Sequence, residues 1–170
     1  LILIEFSEES GSPDLPHYMN LCKKQIGEPD LVVCLDSGAG DYNRFWTTTS
    51  LRGLIGLNLR VDVLKEGVHS GGASGYVPSS FRVARQLLSR IENQETGEVL
   101  LEDLKVRTPK FRLNETKEYV KIVGDDLKEE FPWISKMKPS TNDKVEGVLR
   151  RTWKPALSVV GAKGLPPSEN

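Results

Sequence analysis

Four residues of this chain, Glu8, Glu9, Asp36 and His69, are of types and spacings that could do chemistry. Glu8 and Glu9 form an adjacent acidic pair in Ser7-Glu8-Glu9-Ser10-Gly11-Ser12, directly after the apolar run Leu1-Ile2-Leu3-Ile4-Glu5-Phe6. Asp36 follows a second such run, Leu31-Val32-Val33-Cys34-Leu35, and opens Asp36-Ser37-Gly38. Carboxylates brought together repel one another unless something cationic sits between them, and a metal ion is the usual answer. Each acid also has a plainer role. An acidic doublet in a loop is commonly solvated surface, and Asp before Ser-Gly commonly makes a turn. His69 lies in Gly67-Val68-His69-Ser70-Gly71-Gly72-Ala73-Ser74-Gly75, where glycine permits backbone approach to a ligand but a mobile surface histidine is equally natural. His17 reads as exposed, off the apolar face of its helix.

The elements expected to position these residues give the acids their weight. Short aliphatic runs bounded by turn residues predict buried strands over 1–6 and 31–35. Between them a helix is predicted, with Ser12 as N-cap, Pro13 at the first helical position and Gly27 as the stop. Leu15, Tyr18, Met19, Cys22 and Ile26 share one face of it. A strand–helix–strand crossover brings both strand ends to one edge of a parallel sheet, so Glu8, Glu9 and Asp36 would converge there. From Gly56 to Leu64 apolar and polar residues alternate, the pattern of a strand with one open face and thus of a new sheet. Further helices are expected over 78–92 and from Asn114 or Thr116 through Glu130, with weak strand character over 104–108. Residues 136–143 read as turns, 157–161 as a short strand and 164–170 as loop. The predicted fold is α/β: a βαβ part of a parallel-sheet domain over 1–48, then a second domain over 49–170.

Bulk properties narrow the function. With 23 basic and 24 acidic residues and a net charge of -1, no strong overall field draws the chain to nucleic acid or to a membrane surface. No apolar stretch approaches the roughly 20 residues that span a bilayer. Cys22 and Cys34 read as buried thiols of a reducing compartment, so a cytoplasmic location is expected. Opening in mid-strand and reaching a functional loop by residue 8 suggests a fragment. Several motifs are excluded. Asn43 stands where a dinucleotide fingerprint needs its third glycine, Gly71 to Gly75 lacks the Lys-Ser/Thr of a phosphate loop, and Ser74 lacks the spacing of a nucleophile elbow. No Cys/His cluster has structural zinc spacing.

The blocks EESGS, LVVCLDSG and TTTSLRGLIGLNLRVDVLKEGVHSGGASGYVPSSF, with RTWKPALSVVGAKGLPP near the end, occur in order. Together they resemble the dinuclear metallopeptidases that include aminoacylases and glutamate carboxypeptidases, and within them the cytosolic nonspecific dipeptidase and carnosinase branch. The resemblance covers nearly the whole chain. It implies a catalytic domain followed by an α/β sandwich lid, an antiparallel sheet backed by helices, with 94–150 as a branch-type insertion and the dimer interface on the lid.

The resemblance also implies roles. Glu8 would be the general base and Glu9 a metal ligand, Asp36 would ligate the second metal, and His69 would reach the partner subunit's active site in a homodimer. The implied activity is hydrolysis of the peptide bond of a dipeptide, or the amide of an N-acyl amino acid, by water activated between two divalent ions, zinc or manganese. His69 would donate to the developing oxyanion. The chain supplies one ligand for each metal where a catalytic zinc usually has about three. The remaining ligands would lie outside it, and the segment alone would be inactive. Two other readings share these residues: a non-catalytic dimerisation or binding module, and a deacylase or desuccinylase of the same architecture.

Overall fold

The computed structural model describes residues 1–124 and 126–165, and the chain divides into two compact units, Leu1–Gly38 and Ala39–Asn170. In the first unit, a 3-10 turn over Glu8–Ser10 leads to helix α1 (Leu15–Leu21), with Asp14 at its N-cap and Pro16 in its first turn. Pro16 fits because the first-turn N–H groups have no helical acceptor to lose. The backbone leaves helical geometry at Cys22 and resumes in α2 (Lys23–Ile26), which Gly27 ends at φ 65°. Glycine is needed there because a side chain is strained at such a φ. Leu15, Cys22 and Ile26 are half-buried, while Tyr18 and Met19 from the same expected face are exposed.

The second unit contains α3 (Ser70–Ala73), α4 (Ser80–Leu88), α5 (Lys110–Val123), α6 (Asp126–Glu129) and α7 (Lys144–Thr152). α4 starts at Ser79, whose hydroxyl accepts from Arg82 N at 3.4 Å, and it turns Ala84, Leu87 and Leu88 partly inward. A tight turn follows. Asn93 Oδ1 accepts from Glu95 N and Thr96 N at 2.9 and 3.0 Å, and Gly97 takes φ 68°. The turn closes through Asn93 N to Glu98 O (2.8 Å) and Leu100 N to Ile91 O (2.7 Å). The antiparallel bridge it makes, Glu92 with Val99, delivers Val99 to the core at 2% exposure.

α5 begins at Pro109, which has no N–H to leave unpaired, and ends at Gly124 (φ 53°). It therefore starts before the expected Asn114 and stops well short of Glu130, because glycine releases the chain into a conformation no helix continues. α7 occupies a stretch for which no element was expected. Asp143 Oδ1 accepts from Glu146 N at 3.0 Å and so caps it, and Val148 and Leu149 face inward. α5 packs on α7, and Val99, Val123, Val148 and Leu149 form the buried apolar core, with Thr116 beside them. Thr116 is satisfied by donating its hydroxyl to Arg112 O at 2.9 Å. Trp46 stacks edge-on against Tyr119 at 5.6 Å, and Arg52 donates to the carbonyls of Arg150 and Lys154 at 3.2 Å each.

The α/β expectation is corrected. The described residues form helices and one isolated bridge, with no sheet, neither the parallel sheet expected over 1–35 nor the antiparallel lid sheet expected from residue 56. Residues 1–5, 31–36 and 51–64 are irregular, and most of their apolar side chains are exposed: Leu35 at 94% and Leu57 at 88%. The physical reason lies in where the hydrogen-bond partners come from. A helix satisfies its backbone within one segment, whereas a strand requires a second segment in register. The aliphatic runs have strand propensity, but no described segment pairs with them. The expected strands over 104–108 and 157–161 are likewise absent, and 102–104 forms a 3-10 turn instead. Cys34, expected to be buried in a strand, is exposed for the same reason, and both cysteines are free thiols. The loop expected over 164–170 lies outside the described residues from 166 onward.

Candidate functional site

Glu8 and Glu9 sit in a turn held by backbone bonds. Ser10 N and Ser12 N both donate to Ser7 O (3.1 and 3.0 Å), and Gly11 N donates to Glu8 O at 2.8 Å. Gly11 takes φ 86°, which closes the turn and leaves both carboxylates exposed. Asp36 is exposed in the irregular backbone that ends the first unit. With no sheet edge to gather them, these acids do not converge. Among the described residues no three His, Cys, Asp or Glu side chains lie close enough to hold a metal ion. The donor chemistry of Glu9 and Asp36 suits a hard divalent cation, but single carboxylates on separate loops do not make its site. Within the described residues, Glu9 and Asp36 offer one carboxylate toward each ion of the implied pair.

His69 belongs to the second unit and caps α3. Its Nδ1 accepts from Gly71 N at 3.1 Å, with φ -64° and ψ 126° at His69 itself. For Nδ1 to accept, the neutral ring must carry its proton on Nε2, and the exposed side chain presents that N–H outward as a donor. The glycine has a specific use. A Cβ on Gly71 would stand 2.8 Å from Cε1 of His69, so the ring lies over the backbone only because residue 71 lacks a side chain. The close approach that glycine permits here is that of the neighbouring imidazole.

A partly open cavity of about 360 Å³ lies elsewhere in the second unit, between the 96–108 segment and the end of α7. Glu146 organises one wall. It accepts from Lys154 Nζ at 2.7 and 2.8 Å and from Arg150 Nε at 2.9 Å, while Arg150 Nη1 donates to Thr96 O at 3.1 Å. Partial burial pushes the Glu146 carboxyl upward, but the hydrogen bonds and charges of Lys154 and Arg150 outweigh it and hold the group below its ordinary range. Across the cavity, Lys105 bonds Glu102 at 2.8 Å and lies 3.6 Å from Glu98, and the Glu102 bond raises its ammonium. Val99, Val106 and Pro155 supply apolar lining. Arg150 and Lys154 share the Glu146 carboxylate, while Lys105 lies beside two, Glu102 and Glu98, so the cations around the cavity are all paired.

Residues 146, 150 and 154 were missed by the sequence reading. The available signal was Asp143-Lys144-Val145-Glu146, a cap followed by an acid at the third helical position, and then Arg150 four residues on. No protein-family model matches the chain, and a search of curated proteins finds no match. No helix of the described residues is long and apolar enough to cross a membrane.

Proposed function

We propose that this chain is a segment of a metal-dependent hydrolase that cleaves the peptide bond of dipeptides or the amide bond of N-acyl amino acids. The observation that carries the reading is the ordered set of four blocks, EESGS, LDSG, LRG and HSG, with their reactive residues Glu8, Glu9, Asp36 and His69. Glu8 is the proton acceptor for the attacking water and the later donor to the leaving amine. His69 is the hydrogen-bond donor to the carbonyl oxygen, a role supported by the outward Nε2–H that its bond to Gly71 N requires. Glu9 and Asp36 are the carboxylates this segment contributes toward the metal pair, zinc or manganese. Their remaining partners belong to other parts of a homodimeric protein. A cytoplasmic location accords with the two free thiols.

The test uses the full-length protein with a panel of dipeptides and N-acyl amino acids. Glu8→Gln is expected to lower kcat by about 10²–10⁴-fold with metal content unchanged. His69→Gln is expected to lower it by about 10²–10³-fold. Unaltered turnover in Glu8→Gln, or absence of both hydrolysis and bound metal in the parent, overturns the reading.

A further inference from the structure

Most arginines of the second unit have an acceptor beside them. Arg44 pairs with Asp41, Arg60 with Asp62, Arg112 with Glu115, Arg150 with Glu146 and Arg151 with Glu130, while Arg52 bonds two carbonyls. Four arginines have no such acceptor among the described residues, Arg107 singly and the other three together on one helix face and just beyond it. Arg82, Arg85 and Arg90 are exposed on the polar side of α4 and just beyond it, and no carboxylate pairs with them among the described residues. They line one open hollow of about 600 Å³ with Gln86, Ser89 and Gln94, so the lining is polar, rich in guanidinium and amide donors, and none of it is acidic.

The placement works against the helix that carries it. Arg82 occupies the third position of α4, where the helix dipole favours an acid and where a capping box would put Glu. Arg82 and Arg85 are one turn apart, a spacing at which like charges repel. An anion in the hollow relieves both effects. The chemistry favours phosphate over a carboxylate: a carboxylate has two oxygens and saturates one guanidinium fork, whereas phosphate offers several charged oxygens that neighbouring forks can share.

We propose that the hollow formed by Arg82, Arg85 and Arg90 binds the phosphate groups of a phosphorylated small molecule or headgroup. The site is independent of the hydrolase reading, since none of its residues belongs to those blocks' reactive groups.

The test is isothermal titration of the full-length protein with a hexose bisphosphate at low salt, beside sedimentation with phosphatidylcholine vesicles with and without phosphatidylinositol bisphosphate. The parent is expected to bind, and Arg82→Gln/Arg85→Gln/Arg90→Gln to weaken binding by roughly 10²-fold or more, since each lost charge-assisted contact counts for about tenfold. Glutamine keeps helix propensity at these exposed positions, so an unchanged far-ultraviolet spectrum is expected. Arg60→Gln, which removes one charge elsewhere, should leave affinity within about twofold of the parent. Binding of the bisphosphate identifies a soluble ligand, and binding only of the phosphoinositide vesicles identifies a headgroup. Failure of the parent to bind either one overturns the proposal, as does undiminished binding by the triple variant or equal weakening by Arg60→Gln. A site that instead takes an RNA oligonucleotide through these arginines also overturns it.

Discussion

Leu149→Ala compared with Leu57→Ala tests the core directly. Leu149 is 7% exposed on the α7 face that meets α5, and Leu57 is 88% exposed in an irregular segment. Truncating Leu149 removes about three methylene equivalents from the interior, worth roughly 2.4 kcal/mol in transfer terms, and a residual cavity adds to that. The core it belongs to is small, so neighbours can close in, and the lower half of the Leu→Ala range applies, about 2–3 kcal/mol. For a domain of this size that corresponds to a fall in Tm of roughly 6–15 °C. Leu57→Ala changes little that is buried and should stay within about 0.5 kcal/mol of the parent. Urea unfolding of the full-length protein, followed by far-ultraviolet circular dichroism, measures both, and an unchanged m-value shows that the same surface is exposed in each case. If Leu57→Ala costs as much as Leu149→Ala, the 51–64 segment is packed, and the account of where this core sits is wrong.

Asp143→Ala removes the cap of α7 and should cost about 1 kcal/mol, more than Ser79→Ala, whose hydroxyl bond is longer at 3.4 Å; thermal melts would rank the two. Glu146 has a folded pKa below its ordinary value, so its contribution is present above the unfolded carboxylate pKa and is lost as pH falls through the folded one. Glu146→Gln should therefore destabilise at pH 7, by about 1 kcal/mol or less, and converge on the parent in acid; an equal difference at both pH values would disprove the linkage. Gly71→Ala should displace the imidazole of His69 and so, if the full-length protein carries out the proposed hydrolysis, lower kcat more than it raises KM; steady-state kinetics decides, and unchanged kcat would detach the glycine from the histidine's placement.

The local signals of the chain were largely legible. Gly27 marks a helix end, and the helix expected over 78–92 forms over Ser80–Leu88. Each depends on hydrogen bonds made within a few residues, so the letters nearby suffice. The helix expected from Asn114 or Thr116 through Glu130 forms over Lys110–Val123, where Gly124 ends it. What escaped was α7, whose inward Val148 and Leu149 sit among charged residues. Its polar majority disguised it, and only packing against α5 shows that these two side chains carry the core.

The candidate site divides in the same way. By itself the sequence determined which groups are chemically capable: two adjacent carboxylates after an apolar run, a third after another, a histidine among glycines. Whether those carboxylates meet was a question for tertiary structure, because meeting requires two separated runs to pair in register, and the described residues show no such pairing. Tertiary structure likewise selected the cavity beside Glu146 and, among the described residues, left Arg82, Arg85 and Arg90 without carboxylate partners. Ion pairing between distant segments depends on which surfaces come into contact, and no short-range pattern encodes that.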